Sequence, residues 1–162
     1  MDKGRDVALT ELVKSFSEGT SPIVSNHDPE KELFLFVDAC REGNLDGRMG
    51  GLAYVLLQMI NGKLCIVDTG SRILQLAEKR YSVTELECLG VVWSTRHTHD
   101  YVEGREFTIL TDHSALVQVL GKKNLADLPS LRLQKQAEKM LPYDYKIQHE
   151  KGSQMTIVDT LS

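Results

Sequence analysis

Two runs of this chain, LFLFVD (Leu33 to Asp38) and EFTILTD (Glu106 to Asp112), are β-rich and each ends in an aspartate. The first is apolar at every position before its acid, so it offers no face to water and fits a central strand covered on both sides. Covered strands require helices above and below them, which restricts the chain to α/β architecture. GLAYVLLQM and KLCIVDTG read as two further strands joined by Asn61-Gly62, the pair that favours a type I′ hairpin turn, and the first strand pairs are expected to be antiparallel. YDYKIQH (Tyr143 to His149) alternates with period two and makes a fifth strand.

Helices fill the gaps. Tyr81 to about Asp100 places Leu86, Leu89, Val92, Trp93 and Arg96 at the spacing of one buried stripe. HSALVQVL is a short helix closed by Gly121, and Pro129 is expected to open another running through Met140. TIVDTLS has the form of a helix start, with barely one turn before Ser162 to hold Asp159. The expected fold class is α/β, a five-stranded mixed sheet flanked by helices over residues 31–162. Residues 1–30 form a lead-in in which ALTELVKSF has helical spacing and SNHDPE is a turn cluster.

Composition removes several function classes. A chain of 162 residues, 41% hydrophobic, suits one domain. A net charge of -4 argues against a free-standing basic nucleic-acid binder, so any such role needs local basic patches, a metal or attached domains. No window approaches the roughly 20 apolar residues of a membrane span, and the start lacks an apolar signal core, so a soluble, intracellular protein is expected. Cys40, Cys65 and Cys88 contain no CxxC pair and read as reduced thiols.

The strand-terminal acids carry the chemistry. If their strands are neighbours, Asp38 and Asp112 meet at one end of the sheet, where ligands of open α/β folds gather. Clustered carboxylates repel and imply a bound cation, and oxygen-only ligands favour magnesium or manganese. The plainer alternative is that each aspartate starts a turn or caps a helix. In YSVTELECLGVVW, Ser82-Val83-Thr84-Glu85 fits a capping box, which gives Glu85 a local task. Residues two apart lie about 200° apart around a helix, so Glu85 and Glu87 cannot share one site, and Glu87 is the better candidate for the acid cluster. Thr156 to Asp159 also fits a capping box, leaving Asp159 a structural alternative.

The order Asp, Glu, Asp, Asp on strand, helix, strand and final helix start resembles the ribonuclease H fold. More closely, VDAC (Val37 to Cys40), AYVLLQ (Ala53 to Gln58), TGSRILQLAEKRYSVTELECLGVVWS (Thr69 to Ser94), TDHSAL (Thr111 to Leu116) and KGSQMTIVDTLS (Lys151 to Ser162) resemble, in order, the blocks of the ribonuclease H domain in the reverse transcriptase polyprotein of gypsy-type long-terminal-repeat retrotransposons. The resemblance implies a metal-dependent endonuclease that hydrolyses the RNA strand of RNA/DNA hybrids during reverse transcription. It implies Asp38, Glu87, Asp112 and Asp159 as catalytic, metal-binding carboxylates. Two magnesium ions about 4 Å apart, replaceable by manganese, would activate water and stabilise the leaving oxygen. Asp38 would bridge them, with Glu87 and Asp112 on one side and Asp159 on the other. Polymerase and integrase domains of the same polyprotein are the implied partners, and a cytoplasmic retroelement particle, or the nucleus for a host-adopted gene, the implied location. Two departures stand out: Arg41 to Gly50 exceeds the family's usual turn, as a substrate contact or an extended hairpin loop, and Met155 replaces a common Asn.

Arg72, His113, Lys122 and Lys123 are the candidate nucleic-acid contacts, although the two lysines also suit a solvated helix end. His149 reads as structural at the end of the last strand, and His97 and His99 face different sides of a helix, poor geometry for a metal. Two rival readings keep the fold. A nuclease-fold spacer or dimer-contact module that no longer cleaves would be supported by loss of an acid, and none is lost. An integrase core would carry its Glu on a late helix, against the early Glu87.

Overall fold

A computed structural model describes residues 26–42, 49–121 and 124–151. Strands β1 (Leu33–Glu42), β2 (Met49–Ile60) and β3 (Lys63–Ile73) form an antiparallel meander. At the β2–β3 turn Asn61 and Gly62 take φ of 51° and 76°, the left-handed pair that a type I′ turn requires. β4 (Phe107–Thr111) lies parallel to β1, and β5 (Tyr145–His149) parallel to β4, giving the order β3-β2-β1-β4-β5. Helix α1 (Val83–His97), followed by the short α2 (His99–Val102), connects the meander to β4. Helices α3 (Ser114–Leu120) and α4 (Leu131–Glu138) make the crossover that the parallel pair β4–β5 needs.

β1 explains its own composition. Leu33, Leu35 and Val37 enter a core with Tyr54, Leu56, Cys88, Val91, Ile109, Leu116 and Leu133, while Phe34 and Phe36 enter a second with Val55, Leu57, Ile66 and Leu110. A strand feeding two cores has no position to spare for a polar residue, as the expectation from LFLFV required. The end of the lead-in packs on this body: Gln58, fully buried, accepts from the Asp28 backbone N–H (2.9 Å) and donates to the Asp28 carbonyl (2.7 Å). Residues 1–25, with the expected ALTELVKSF helix, and most of Arg41 to Gly50, lie outside the described residues.

Three details differ from the sequence expectation. β1 does not stop at Asp38 but runs to Glu42, because β2 continues to pair with it after β4 has ended. Pro129 does not open α4; Ser130 caps that helix by accepting from Leu133 N–H (3.1 Å), so the proline sits outside the first turn. On α1 the expected stripe is buried only in part: Leu86 and Val92 are buried, Leu89 and Trp93 half-buried and Arg96 exposed, while Glu87, Gly90, Val91 and Ser94, outside the stripe, are buried. The reason is size. A Cβ on Gly90 would stand 3.0 Å from Val37 Cγ1, so the small residues, invisible to a hydrophobicity pattern, carry the close approach to β1.

Candidate active site

The register places the acids. Phe36 of β1 is opposite Leu110 of β4, and Asp38 and Asp112 each lie two residues further along their parallel chains, at the level where β4 ends. Glu87 arrives from α1, whose contact with Val37 through Gly90 brings the helix close to β1 beside Asp38. Each of Asp38, Glu87 and Asp112 offers a carboxylate oxygen, and these oxygens all lie within 4.8 Å of one another. Glu87 is buried, Asp38 half-buried and Asp112 exposed, so the cluster opens outward from a buried base.

Like charges at such separations repel by a few kcal/mol per pair near a protein surface. Three hard oxygen donors on rigid elements, one of them buried, match what a magnesium- or manganese-sized cation takes from protein, and lack the sulfur or nitrogen that would favour zinc. The residues present therefore fit a divalent ion. Among the described residues, Asp38, Glu87 and Asp112 are the group that could hold one. The fourth expected ligand, Asp159, lies outside the described residues.

Glu85 does what the capping box predicts. Ser82 N–H donates to Glu85 Oε2 (2.9 Å), and Glu85 N–H donates to Ser82 Oγ (3.2 Å). Its carboxylate also accepts from Ser130 Oγ (3.1 Å) and Arg132 Nη1 (2.9 Å), a link to α4 that sequence reasoning missed. The legible signal was Ser130 itself, a capping residue type just before an amphipathic run. Burial alone would raise the Glu85 carboxyl, but the Ser82 N–H, Arg132 and Ser130 together outweigh it and hold the group below the usual glutamate range.

The remaining candidates separate. Arg72, expected as a phosphate contact, has Glu78 as its first partner: Nη1 and Nη2 donate to both carboxylate oxygens (2.7 and 2.8 Å), and the guanidinium lies 5.5 Å from the Trp93 ring centre. His113, next to Asp112, is half-buried; its Nε2 is 3.1 Å from Thr84 Oγ1, and its backbone N–H donates to Thr111 Oγ1. Lys122 and Lys123 lie outside the described residues. His149 ends β5 with Nε2 3.1 Å from the Asp112 carbonyl oxygen, a structural bond beside the acids. His97 packs on Trp93 and Tyr54, while His99 meets the Tyr143 hydroxyl, so the two do turn to different neighbours.

Comparison with known proteins identifies the family. Residues 28–143 match the family described as the RNase H-like domain found in reverse transcriptase. The chain is 33% identical over 141 residues to the retrovirus-related Pol polyprotein from transposon 297 of Drosophila melanogaster, covering 87% of this chain and 12% of that protein. To the polyprotein from transposon 412 of the same organism it is 28% identical over 135 residues, covering 83% and 10%. The chain thus spans about a tenth of the length of the relatives it matches. Among solved structures, the N-terminal RNase H domain of rv2228c from Mycobacterium tuberculosis superposes with a TM-score of 0.62 at 13% identity, covering 82% of this chain and 91% of that one. LC11-RNase H1 in complex with an RNA/DNA hybrid gives 0.56 at 11% identity, covering 80% and 93%. These distant structures bear on the fold alone, and the fold they share is the one expected from the order of acids. The chain belongs to the family of RNase H-like domains found in reverse transcriptases, and its relatives are retrovirus-related Pol polyproteins of transposons.

Proposed function

We propose that this domain hydrolyses the RNA strand of RNA/DNA hybrids as a metal-dependent endonuclease during reverse transcription of a gypsy-type retroelement. The observation that carries the reading is the convergence of Asp38, Glu87 and Asp112, from two parallel strands and a helix, to within 4.8 Å. Asp159 is the fourth ligand in this reading, on the family resemblance. Two magnesium ions, or manganese in their place, supply Lewis acidity toward the phosphodiester and lower the pKa of water. The chain's own part is to hold the donors. Glu87 anchors the buried side from a helix whose first turn is capped, Asp38 lies on β1, and Asp112 stands at the exposed rim, the side from which substrate would approach in this reading. His113, beside Asp112 and bonded to Thr84, is in this reading a contact to a phosphate of the bound strand.

Selection of the hybrid would rest on contacts to RNA 2′-hydroxyls and on groove shape rather than base edges. The polymerase and integrase regions of a Pol polyprotein are the neighbours that fit, and a cytoplasmic retroelement particle is the setting that follows. The test is a cleavage assay with labelled hybrid, single-stranded RNA and duplex DNA, in magnesium and in manganese. Cutting of the RNA in hybrid alone, lost in Asp38→Asn, is expected. Equal cutting by Asp38→Asn, or no cutting with either metal, overturns the reading.

A further inference from the structure

The first turn of α1 is gripped from two sides. Arg41, on β1 three residues after Asp38, donates Nη2 to the Tyr81 carbonyl (2.6 Å) just ahead of the helix. From the other side, α4 reaches across with Ser130 Oγ to Glu85 Oε1 (3.1 Å) and Arg132 Nη1 to Glu85 Oε2 (2.9 Å). The Arg132 guanidinium also lies 4.0 Å from the centre of the Tyr81 ring. Ser130 is itself the cap of α4, accepting from Leu133 N–H, so one Glu85 carboxylate joins the starts of two helices. None of this is required to cap α1. Ser82 and Glu85 complete the capping box by themselves, and the added bonds come from residues 45 and 47 positions along the chain.

We propose that Arg41 and Arg132, with Ser130, are positioning residues that fix the start of α1 between β1 and α4 and so hold Glu87 in place against Asp38. The inference rests on the metal-dependent reading given above. Glu87 follows Glu85 by two residues and rides on the same opening turns, whereas helix ends that lack such anchors fray. Arg41 ties those turns to the strand that carries Asp38, so the two ligands share one mechanical frame. A partner bonded directly to a metal ligand typically matters about 10- to 100-fold in affinity or activity. The arginines bond to Tyr81 and Glu85 and act on Glu87 through the helix, so the low end of that range is expected. Global folding depends on these contacts less: Glu85 is only 11% exposed, but it stays bonded to the Ser82 N–H when Arg132, itself 46% exposed, is removed, so the stability cost is modest. That difference separates positioning from folding. A planar guanidinium that stacks on Tyr81 and points one N–H at Glu85 is not reproduced by an ammonium, so lysine is no substitute for Arg132.

The experiment titrates Mn2+ calorimetrically into the wild-type chain, Asp38→Asn, Arg41→Met, Arg132→Met, Arg132→Lys, Ser130→Ala and the double arginine variant, and records unfolding midpoints without metal and hybrid cleavage with it. Each single arginine variant is expected to bind Mn2+ about tenfold more weakly and to lose kcat with little change in KM for the hybrid. The metal-free unfolding midpoint should fall only modestly, Arg132→Lys should not restore binding, and the double variant should be worse than either single one. Wild-type affinity and kcat in both arginine variants overturn the proposal. So does a loss that follows the unfolding midpoint and is repaired by lysine. A wild-type chain that takes up no more Mn2+ than Asp38→Asn overturns the metal reading beneath it, an outcome recognisable before any arginine variant is measured.

Discussion

Around α1 the carboxylates fall into two regions with opposite neighbours. In its first turn and just before it, buried Glu85 and Glu78 are each met by an arginine, Arg132 at 2.9 Å and Arg72 at 2.7 Å. At the end of the sheet, Asp38, Glu87 and Asp112 are brought within 4.8 Å of one another. The first region pairs each acid with an arginine; the second brings three acids together and fits a cation from outside. The type of residue therefore says little about an acid's task, and its neighbour says most. Glu85 and Glu87, two residues apart, fall on either side of this division.

The comparison breaks most visibly at Glu87. Glu87→Gln should reduce hybrid cleavage to background, a loss of about a thousandfold or more, as for other enzymes deprived of a reacting group. Substantial activity in that variant would move Glu87 out of the cluster. Packing gives the next effect: Gly90→Val pushes a side chain into Val37 and should cost about 1–3 kcal/mol of stability in urea titrations, with weaker metal binding. No loss would mean that α1 does not depend on its close approach to β1.

The two regions should also respond to neutralisation with opposite sign. Asp112→Asn relieves like-charge repulsion and should stabilise the metal-free protein by about 1 kcal/mol, whereas removing an arginine from the other region destabilises it. Acid titration reads the same contrast. The Arg72 hydrogen bonds, opposed by burial and aided by the Gln75 N–H, hold Glu78 below the usual glutamate range, and Glu85 is held low as well. A carboxyl whose folded pKa lies below its unfolded value of about 4.3 stabilises the fold above that pH, and the contribution disappears as pH falls through the folded value. Arg72→Met should therefore flatten the acid limb of the stability profile; an unchanged limb would remove Glu78 from it. The smallest effect belongs to Glu85→Gln, which should lower stability by about 1 kcal/mol or less and leave cleavage measurable.

Much of this was legible in the sequence because the relevant signals are local. Asn61-Gly62 fixes a hairpin, an all-apolar run announces a strand between two cores, and Ser82 with Glu85 announces a helix start, so Glu87 could be told from Glu85 before any coordinates. What sequence hid is long-range or small. The grip of Ser130 and Arg132 on Glu85 joins α4 to α1 across more than forty residues, and no periodicity encodes it. Gly90 carries the deepest contact of α1 by having no side chain, so a search for an apolar stripe selected Leu89 and Trp93 instead. Arg72 looked available for a phosphate because Glu78, six residues on, was not placed beside it.

The central claim is that the acid cluster is a cation site, and the unfolding midpoint followed over rising Mg2+ or Mn2+ tests it most directly. A ligand that binds only the folded state stabilises by RT ln(1 + [L]/Kd). The wild-type midpoint should climb logarithmically once the ion exceeds its Kd, and that of Asp38→Asn should stay nearly flat. Equal shifts in the two proteins, or none in either, would contradict the account.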